Sequence, residues 1–514
     1  MREGNLARLA GLRYVRRLVA LTTGALLTFG FAPYGLWPLA IACPAVLMYL
    51  WEGALPREAA KLGFCFNFGT FVAGTYWLYT GLHTMAGVPV WIALGLMLGL
   101  TGIMALYHAA LGYVVARWLP ASGAVRWLVA LPAAWVFIEW WRGWFLSGFA
   151  WLSLGYTQTD TWLANLAPVI GVYGLSALLL VGAGALVALI KGNARTRAVA
   201  ASLIVLPWAA GAALQGVEWT QASGKPVGVA IVQGAIPQDE KWQKKNEEKT
   251  RDIYRTLAAT AFGTPVIVFP EASLPPIAND IVAYIRDLYS DAAMQGSGLV
   301  IGILRGDGEG PTEYEYKNYY NSVLALDRGV KEVQWYDKSH LVPFTEFFPV
   351  PRSWMRVLNQ PYSDFARGAV VQPPLRVGGL NLSASICYED GYGSSALAVL
   401  EHADTLVNVT NDAWFGHGSA RYLHFQIARM RAIESQRYML RAGQDGISAV
   451  IGPRGEVVAE APGFQQYVLR STVTPRMGLP PYARFGNWLI ISLATLSVAL
   501  GVWLARRRRL AQAG

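Results

Sequence analysis

The sequence predicts a bundle of eight transmembrane helices joined to one α/β domain on the outer side of the membrane. Three observations carry this. Hydrophobic residues make up 54% of the 514 and charged residues only 15%, with 20 tryptophans and a positive mean hydropathy, a composition outside the ordinary soluble range. Eight apolar runs approach or exceed the length that crosses a bilayer, about 20 helical residues. Between the seventh and the eighth lies a polar stretch, residues 217–486, far too long for a loop.

The runs fall near 17–32, 35–51, 62–82, 89–116, 125–141, 165–190 and 198–216, with the eighth near 487–505. The first is read as a retained helix, because no small-residue cleavage site follows it and another apolar run comes at once. Successive crossings alternate sides, so basic residues test the count. With the arginine-rich start (Arg2, Arg8, Arg13, Arg16, Arg17) inside, the inner loops hold Arg57 and Lys61, Arg117 and Arg126, then Lys191, Arg195 and Arg197. The tail Arg506 to Arg509 also falls inside, whereas 83–88 has no such charge and 142–164 only Arg142. The formal net charge of +10 therefore reads as membrane anchoring, not as a nucleic-acid surface. The expected division is helices one to seven over 1–216, the outer domain over 217–486, and the last helix with its basic tail over 487–514.

In the outer domain the strand-like runs VGVAIVQG, PVIVFP, GLVIGIL, NSVLALD, LNLSASI, TLVNVT and ISAVIG are separated by turn signals or by helical stretches at 240–262, 279–294 and 419–438. Such alternation predicts a layered sandwich of sheets and helices. Three polar residues end apolar strands, where a side chain emerges at a sheet edge: Glu271 after VIVFP, Lys338 after VQWYD and Cys387 after LNLSASI. Each alone has a plain structural explanation, as a helix cap, a solvated lysine and a core thiol. Together they supply what acyl transfer needs. Thiolate is the attacking form of cysteine, a carboxylate takes the thiol proton, and an ammonium with a backbone N–H stabilises the tetrahedral oxyanion. GYGSSALAVL, next along the chain, is expected to open a helix that favours the thiolate.

Three cysteines without metal-like spacing exclude a disulfide framework and a zinc site, and six histidines form no metal-like pair. Glu139 and Arg142, three apart near the end of the fifth span, are placed to pair on one helix face, close enough to the interface for snorkelling to relieve their cost. Their expected role is structural, holding the WFLSGFAW segment.

FPEASLP, YDKSHLVPFTEFFP, SICYED and NVTNDAWFG, in this order, resemble the signatures of the nitrilase superfamily. Taken with eight spans and with QGAIPQDEKW, EWWRGWFLSGFAWLSLGY and ARMRAIESQR, the chain more closely resembles the apolipoprotein N-acyltransferase family over nearly its whole length. The resemblance implies a periplasmic α-β-β-α nitrilase-like sandwich on a bacterial inner-membrane protein with both termini cytoplasmic. It implies Glu271 as general base, Lys338 as oxyanion stabiliser and Cys387 as nucleophile, with Glu346 a further essential acid, Tyr388 and Glu389 supporting activity, and Trp242 in a substrate loop. The implied partners are a phospholipid acyl donor such as phosphatidylethanolamine, a diacylglyceryl apolipoprotein acceptor and the bilayer. No cofactor, metal or nucleic acid is implied. AGQDGIS at 442–448 departs from the Asn-rich or Thr-rich version expected there, which leaves a role for that strand in substrate contact open.

LVPFTEFFPVPRSWM combines aromatic residues with little charge and reads either as a loop dipping into the interface or as a loop packed on the sheet. A membrane-tethered amidase would use the same three residues with water as acceptor. A transporter with an outer sensory domain fits less well, because the spans hold hardly any charge at mid-membrane depth.

Overall fold

The computed structural model describes residues 2–85, 87–309, 316–329, 332–343, 345–347, 365–393 and 397–513. The chain divides into a helical unit, Met1–Val217 with His417–Gln426 and Phe485–Gly514, and an α/β unit, Glu218–Gly416 with Ile427–Arg484.

In the helical unit, α1 (Arg2–Leu27), α2 (Leu39–Leu50), α3 (Pro56–Gly74), α4 (Val90–Trp118), α5 (Leu131–Arg142), α6 (Ala167–Lys191), α7 (Ala194–Ala213) and the C-terminal helix Trp488–Ala513 occupy the segments that hydropathy marks. Among the described residues, four helices are long and apolar enough to cross a membrane: Val90–Trp118, Trp162–Lys191, Ala194–Ala213 and Trp488–Ala511. The others fall short for local reasons. Twelve-residue α2 rises about 18 Å against a hydrocarbon core of about 30 Å, and α3 carries Arg57, Glu58 and Lys61 near its start. Helices approach closely where small residues allow it: a Cβ on Gly63 of α3 would stand 2.1 Å from the His108 carbonyl oxygen of α4. Across the same contact Asn67 Nδ2 donates to the Met104 carbonyl at 2.7 Å.

Glu139 and Arg142 depart from expectation. Both are buried, and no direct hydrogen bond joins them. Glu139 accepts from the Ser176 hydroxyl and the Leu154 N–H, while Arg142 donates to Ser153 Oγ at 3.2 Å and lies over the Phe71 ring. The expected structural role holds in kind, since these bonds fix the segment after α5. The two charges still act on one another, but their hydrogen bonds go to Ser153 and Leu154 of the folded-back segment and to Ser176 of α6.

The α/β unit is built on two six-stranded sheets. The first uses β1 (Val227–Gln233), β2 (Val266–Val268), β3 (Gly298–Glu309), β4 (Tyr316–Leu326) and β5 (Gln334–Asp337). The second uses β6 (Leu375–Val377), β7 (Leu380–Ile386), β8 (Thr405–Thr410), β9 (Met439–Gly443), β10 (Ala449–Ile451) and β11 (Val457–Glu460). Strand β12 (Tyr467–Val473) returns to the first sheet, giving the order β12-β1-β2-β3-β4-β5, and the second runs β11-β10-β9-β8-β7-β6. Each has a parallel centre, β1-β2-β3 and β7-β8-β9, with antiparallel flanks.

Strand period two explains the layering. Val229 and Ile231 of β1 join Val268, Leu382, Val407 and Leu440 in a core between the sheets. Ala230 and Val232, one residue out of phase, face Tyr254 and Ala258 of α8 (Glu247–Ala261) and Leu288 of α9 (Val282–Met294). Helix α10 (Ala420–Ser435) is buried from Ile427 to Ile433 except at Arg429, whose side chain donates to Gly455 O beyond β10.

Candidate active site

Glu271, Lys338 and Cys387 each stand just past the end of a strand, β2, β5 and β7. Parallel strands β2 and β7 deliver their following residues to the same edge of the sandwich, the usual place for chemistry in such sheets. Glu271 precedes Ala272 with φ of 44°, and Cys387 itself has φ of 53°. Non-glycine residues seldom occupy this region, and each such turn costs on the order of 1–3 kcal/mol. Both strands are thereby broken off sharply, β7 into the single 3-10 turn Cys387–Gly391. A helix opening in GYGSSALAVL involves 394–396, which lie outside the described residues.

The Lys338 ammonium is 1% exposed and lies 2.9 Å from Glu346 Oε1 and 3.6 Å from Glu271 Oε1. Asn321 ties the two acids together, its amide donating to Glu271 Oε1 at 2.7 Å and to Glu346 Oε1 at 2.9 Å. The register explains this: Ser322 pairs with Asp337, and the next rung brings the Lys338 N–H to the Asn321 carbonyl. Glu271 Oε2 accepts the Asn411 N–H at 2.9 Å, so an acid of the first sheet is held by backbone of the second. Glu346 Oε2 accepts the Val342 N–H, which closes the loop carrying it.

Burial works against the charge of Lys338, but Glu346 and Glu271 overcome it and hold the ammonium well above its ordinary pKa. Cys387 keeps partial exposure as a residue while its thiol is enclosed. Burial pushes that thiol well up, Glu271 adds to the effect, and Lys338 opposes it. The resting sulfur is accordingly protonated, and a base must take its proton at the moment of attack. Both Glu271 and Lys338 are within electrostatic reach of it.

Glu389 lies beside this cluster, in a buried pocket of donors. Its Oε1 accepts from the Ser339 N–H, the Ser339 hydroxyl and the His340 N–H, and its Oε2 from the Tyr336 hydroxyl and the Ile386 N–H. It therefore clamps the turn after Lys338 to the turn before Cys387. Tyr388 hydrogen-bonds the Tyr392 hydroxyl, and Tyr392 stacks on His340 at 4.3 Å. Trp242 is 45% exposed with the Lys241 ammonium over its ring, and stands apart from these bonds. Of LVPFTEFFPVPRSWM, residues 344 and 348–355 lie outside the described residues.

Sequence reasoning missed five members. Asn321 lies within a run read only as a strand. Lys241, fully buried, donates to the Glu271 carbonyl, and burial brings its pKa down to about 8. Asn411 and Asp412 were visible in NVTNDAWFG without a role. Arg441 binds Asp412 Oδ2 at 2.9 Å, Asp390 Oδ2 at 3.3 Å and Asn408 Oδ1 at 2.9 Å, on strand β9, which hydropathy does not mark. In the divergent AGQDGIS, Gln444 accepts from the buried Tyr254 hydroxyl, a structural contact.

Residues 23–185 match the model of the apolipoprotein N-acyltransferase N-terminal domain, and 228–478 match that of carbon-nitrogen hydrolases. The sandwich is thus the nitrilase-like fold. A Chromobacterium violaceum protein named apolipoprotein N-acyltransferase is 38% identical over 498 residues, 96% of this chain and 94% of its own length. Proteins of the same name from Methylococcus capsulatus and Nitrosomonas europaea are each 38% identical, over 498 and 507 residues, covering 96% and 99% of their own lengths. With both models matched in order and relatives aligned end to end, this chain belongs to the apolipoprotein N-acyltransferase family.

Proposed function

We propose that this multi-pass membrane enzyme acylates lipoproteins through a thioester on Cys387, with Glu271 as the base and Lys338 as the oxyanion partner. The observation that carries the reading is the joint fixation of Glu271, Lys338 and Glu346 by Asn321 at the strand ends flanking a protonated, enclosed thiol.

In the first half-reaction Glu271 takes the proton from Sγ as the sulfur attacks the ester carbonyl of a phospholipid, phosphatidylethanolamine being the proposed donor. The C–S bond forms, the carbonyl oxygen takes the negative charge, and the Lys338 ammonium stabilises it. Collapse breaks the ester C–O bond, and the proton on Glu271 passes to the departing lysophospholipid oxygen. In the second half-reaction the α-amine of a diacylglyceryl N-terminal cysteine attacks the thioester and loses its proton to Glu271. The C–S bond then breaks and the thiol is restored. Amide formation runs downhill from a thioester, so neither ATP nor a metal is invoked. Glu346 holds Lys338 charged and in place, Glu389 positions the turns on either side, and Tyr388 and the exposed Trp242 are proposed to meet substrate.

The proposed arrangement in the cell rests on charge. The charge distribution supports eight crossings, with both termini and the basic loops cytoplasmic and residues 217–486 in the periplasm of a bacterial inner membrane, the side on which lipid-anchored acceptors are proposed to meet the thiol.

The test is the intact mass of purified protein after incubation with phosphatidylethanolamine. One added acyl mass on the Cys387 peptide, removed by a diacylated lipopeptide, is expected. Full transfer by a Cys387→Ala variant would overturn the reading.

A further inference from the structure

We infer that the groove between α2, α6 and α7 binds one glycerophospholipid of net negative headgroup, as a lasting structural lipid and not as acyl donor. The groove, of about 300 Å³, is lined almost wholly by apolar side chains, Ile41 of α2, Leu178 and Leu186 of α6 and Leu203 of α7 among them. This volume is at the small end for ligand sites, which suits one acyl chain and no bulky group. Trp37 and Trp208 line it together, their ring centroids 4.6 Å apart.

Basic residues lie beyond the groove. From Leu186, α6 runs on to Lys191, whose ammonium lies over the Tyr49 ring of α2 at 4.8 Å. Exposed Arg195 and Arg197 follow on the first turn of α7, so three cations gather at the α6–α7 turn, beyond the Leu186 lining of the groove. Distances fit a single leaflet. Leu178 to Leu186 spans about 12 Å of helix and Leu178 to Lys191 about 20 Å, against about 15 Å for half the hydrocarbon core plus the headgroup layer. A phosphate at Lys191 would therefore trail its acyl chain down the groove to the tryptophan pair. Cations near a membrane surface favour anionic over zwitterionic lipid. Gly182 of α6 lines the groove, and a Cβ there would reach only ordinary contact with Ile41 at 3.6 Å, so a larger side chain would occupy the lipid's space.

The test uses the full-length Cys387→Ala protein, so that no acyl thioester confuses the masses. It is reconstituted in vesicles of phosphatidylethanolamine and phosphatidylglycerol in equal parts, extracted into detergent, and weighed by native mass spectrometry. One retained phosphatidylglycerol per chain is expected. The exposed triple variant Lys191→Gln, Arg195→Gln, Arg197→Gln should lower that retention by about fivefold per charge removed. Gly182→Leu should lower retention of both lipids. Equal retention of the two lipids by the parent, or unchanged retention in the triple variant at an unchanged melting temperature, would overturn the inference. Transfer activity of the triple variant on the Cys387 background is measured in parallel, and its persistence would leave the catalytic reading standing whichever way retention falls.

Discussion

The Lys338 ammonium lies 2.9 Å from the Glu346 carboxylate, inside a site where Glu271 already stands 3.6 Å away. One cation thus answers to two acids, which the Asn321 amide holds together.

Substituting Glu346→Gln keeps an acceptor for Asn321 and removes the charge that anchors Lys338. Misplacing a catalytic group by about an ångström costs on the order of 100-fold in rate. Acyl transfer should fall by that order with little change in KM for the lipopeptide, and steady-state kinetics at varied lipopeptide will read the split.

Lys338 holds the Cys387 thiol down against burial and Glu271. Lys338→Met removes that opposing charge, so the thiol pKa must rise. The pH profile of iodoacetamide labelling at Cys387, followed by mass spectrometry, should move upward by roughly 1–3 units. A profile that stays in place would show that the ammonium does not act on the sulfur.

Glu389 satisfies five donors in a buried pocket. Truncation to alanine leaves them unpaired at about 1–3 kcal/mol for each group that finds no water. Glu389→Ala should therefore lose at least about 3 kcal/mol of stability and most activity, while Glu389→Gln should recover part of both. Thermal unfolding of the detergent-solubilised variants measures the difference.

Lys241 has its pKa brought down from 10.5 to about 8 by burial, with Glu271 and Asp445 pulling the other way. Above pH 10.5 both folded and unfolded chains carry it neutral. As pH falls from 10.5 towards 8 the unfolded chain binds the proton first, which weakens the fold, and below 8 the penalty is constant. Lys241→Met should remove this dependence, so that its gain over the parent grows as pH is lowered through that window, to a few kcal/mol at most. Melting temperatures across the window will show whether the two curves converge at the alkaline end.

Local sequence was enough for whatever depends on neighbours along the chain. Apolar length marked the helical segments, alternation marked most strands, and the ends of β2, β5 and β7 marked Glu271, Lys338 and Cys387, because these are properties of a few consecutive residues. Tertiary structure decided how polar groups are paired. Strand β9 was hidden because Arg441 breaks its apolar pattern, and it can be buried only because Asp390 and Asp412 come to it from other parts of the chain. Asn321 became the bridge between two acids through the β4-β5 register, and Glu139 with Arg142 found their hydrogen-bond partners in a folded-back segment and on α6. Hydropathy and period act locally, whereas a buried charge is settled by whichever donors and acceptors the completed fold brings within about 3 Å, and no stretch of sequence contains that information by itself.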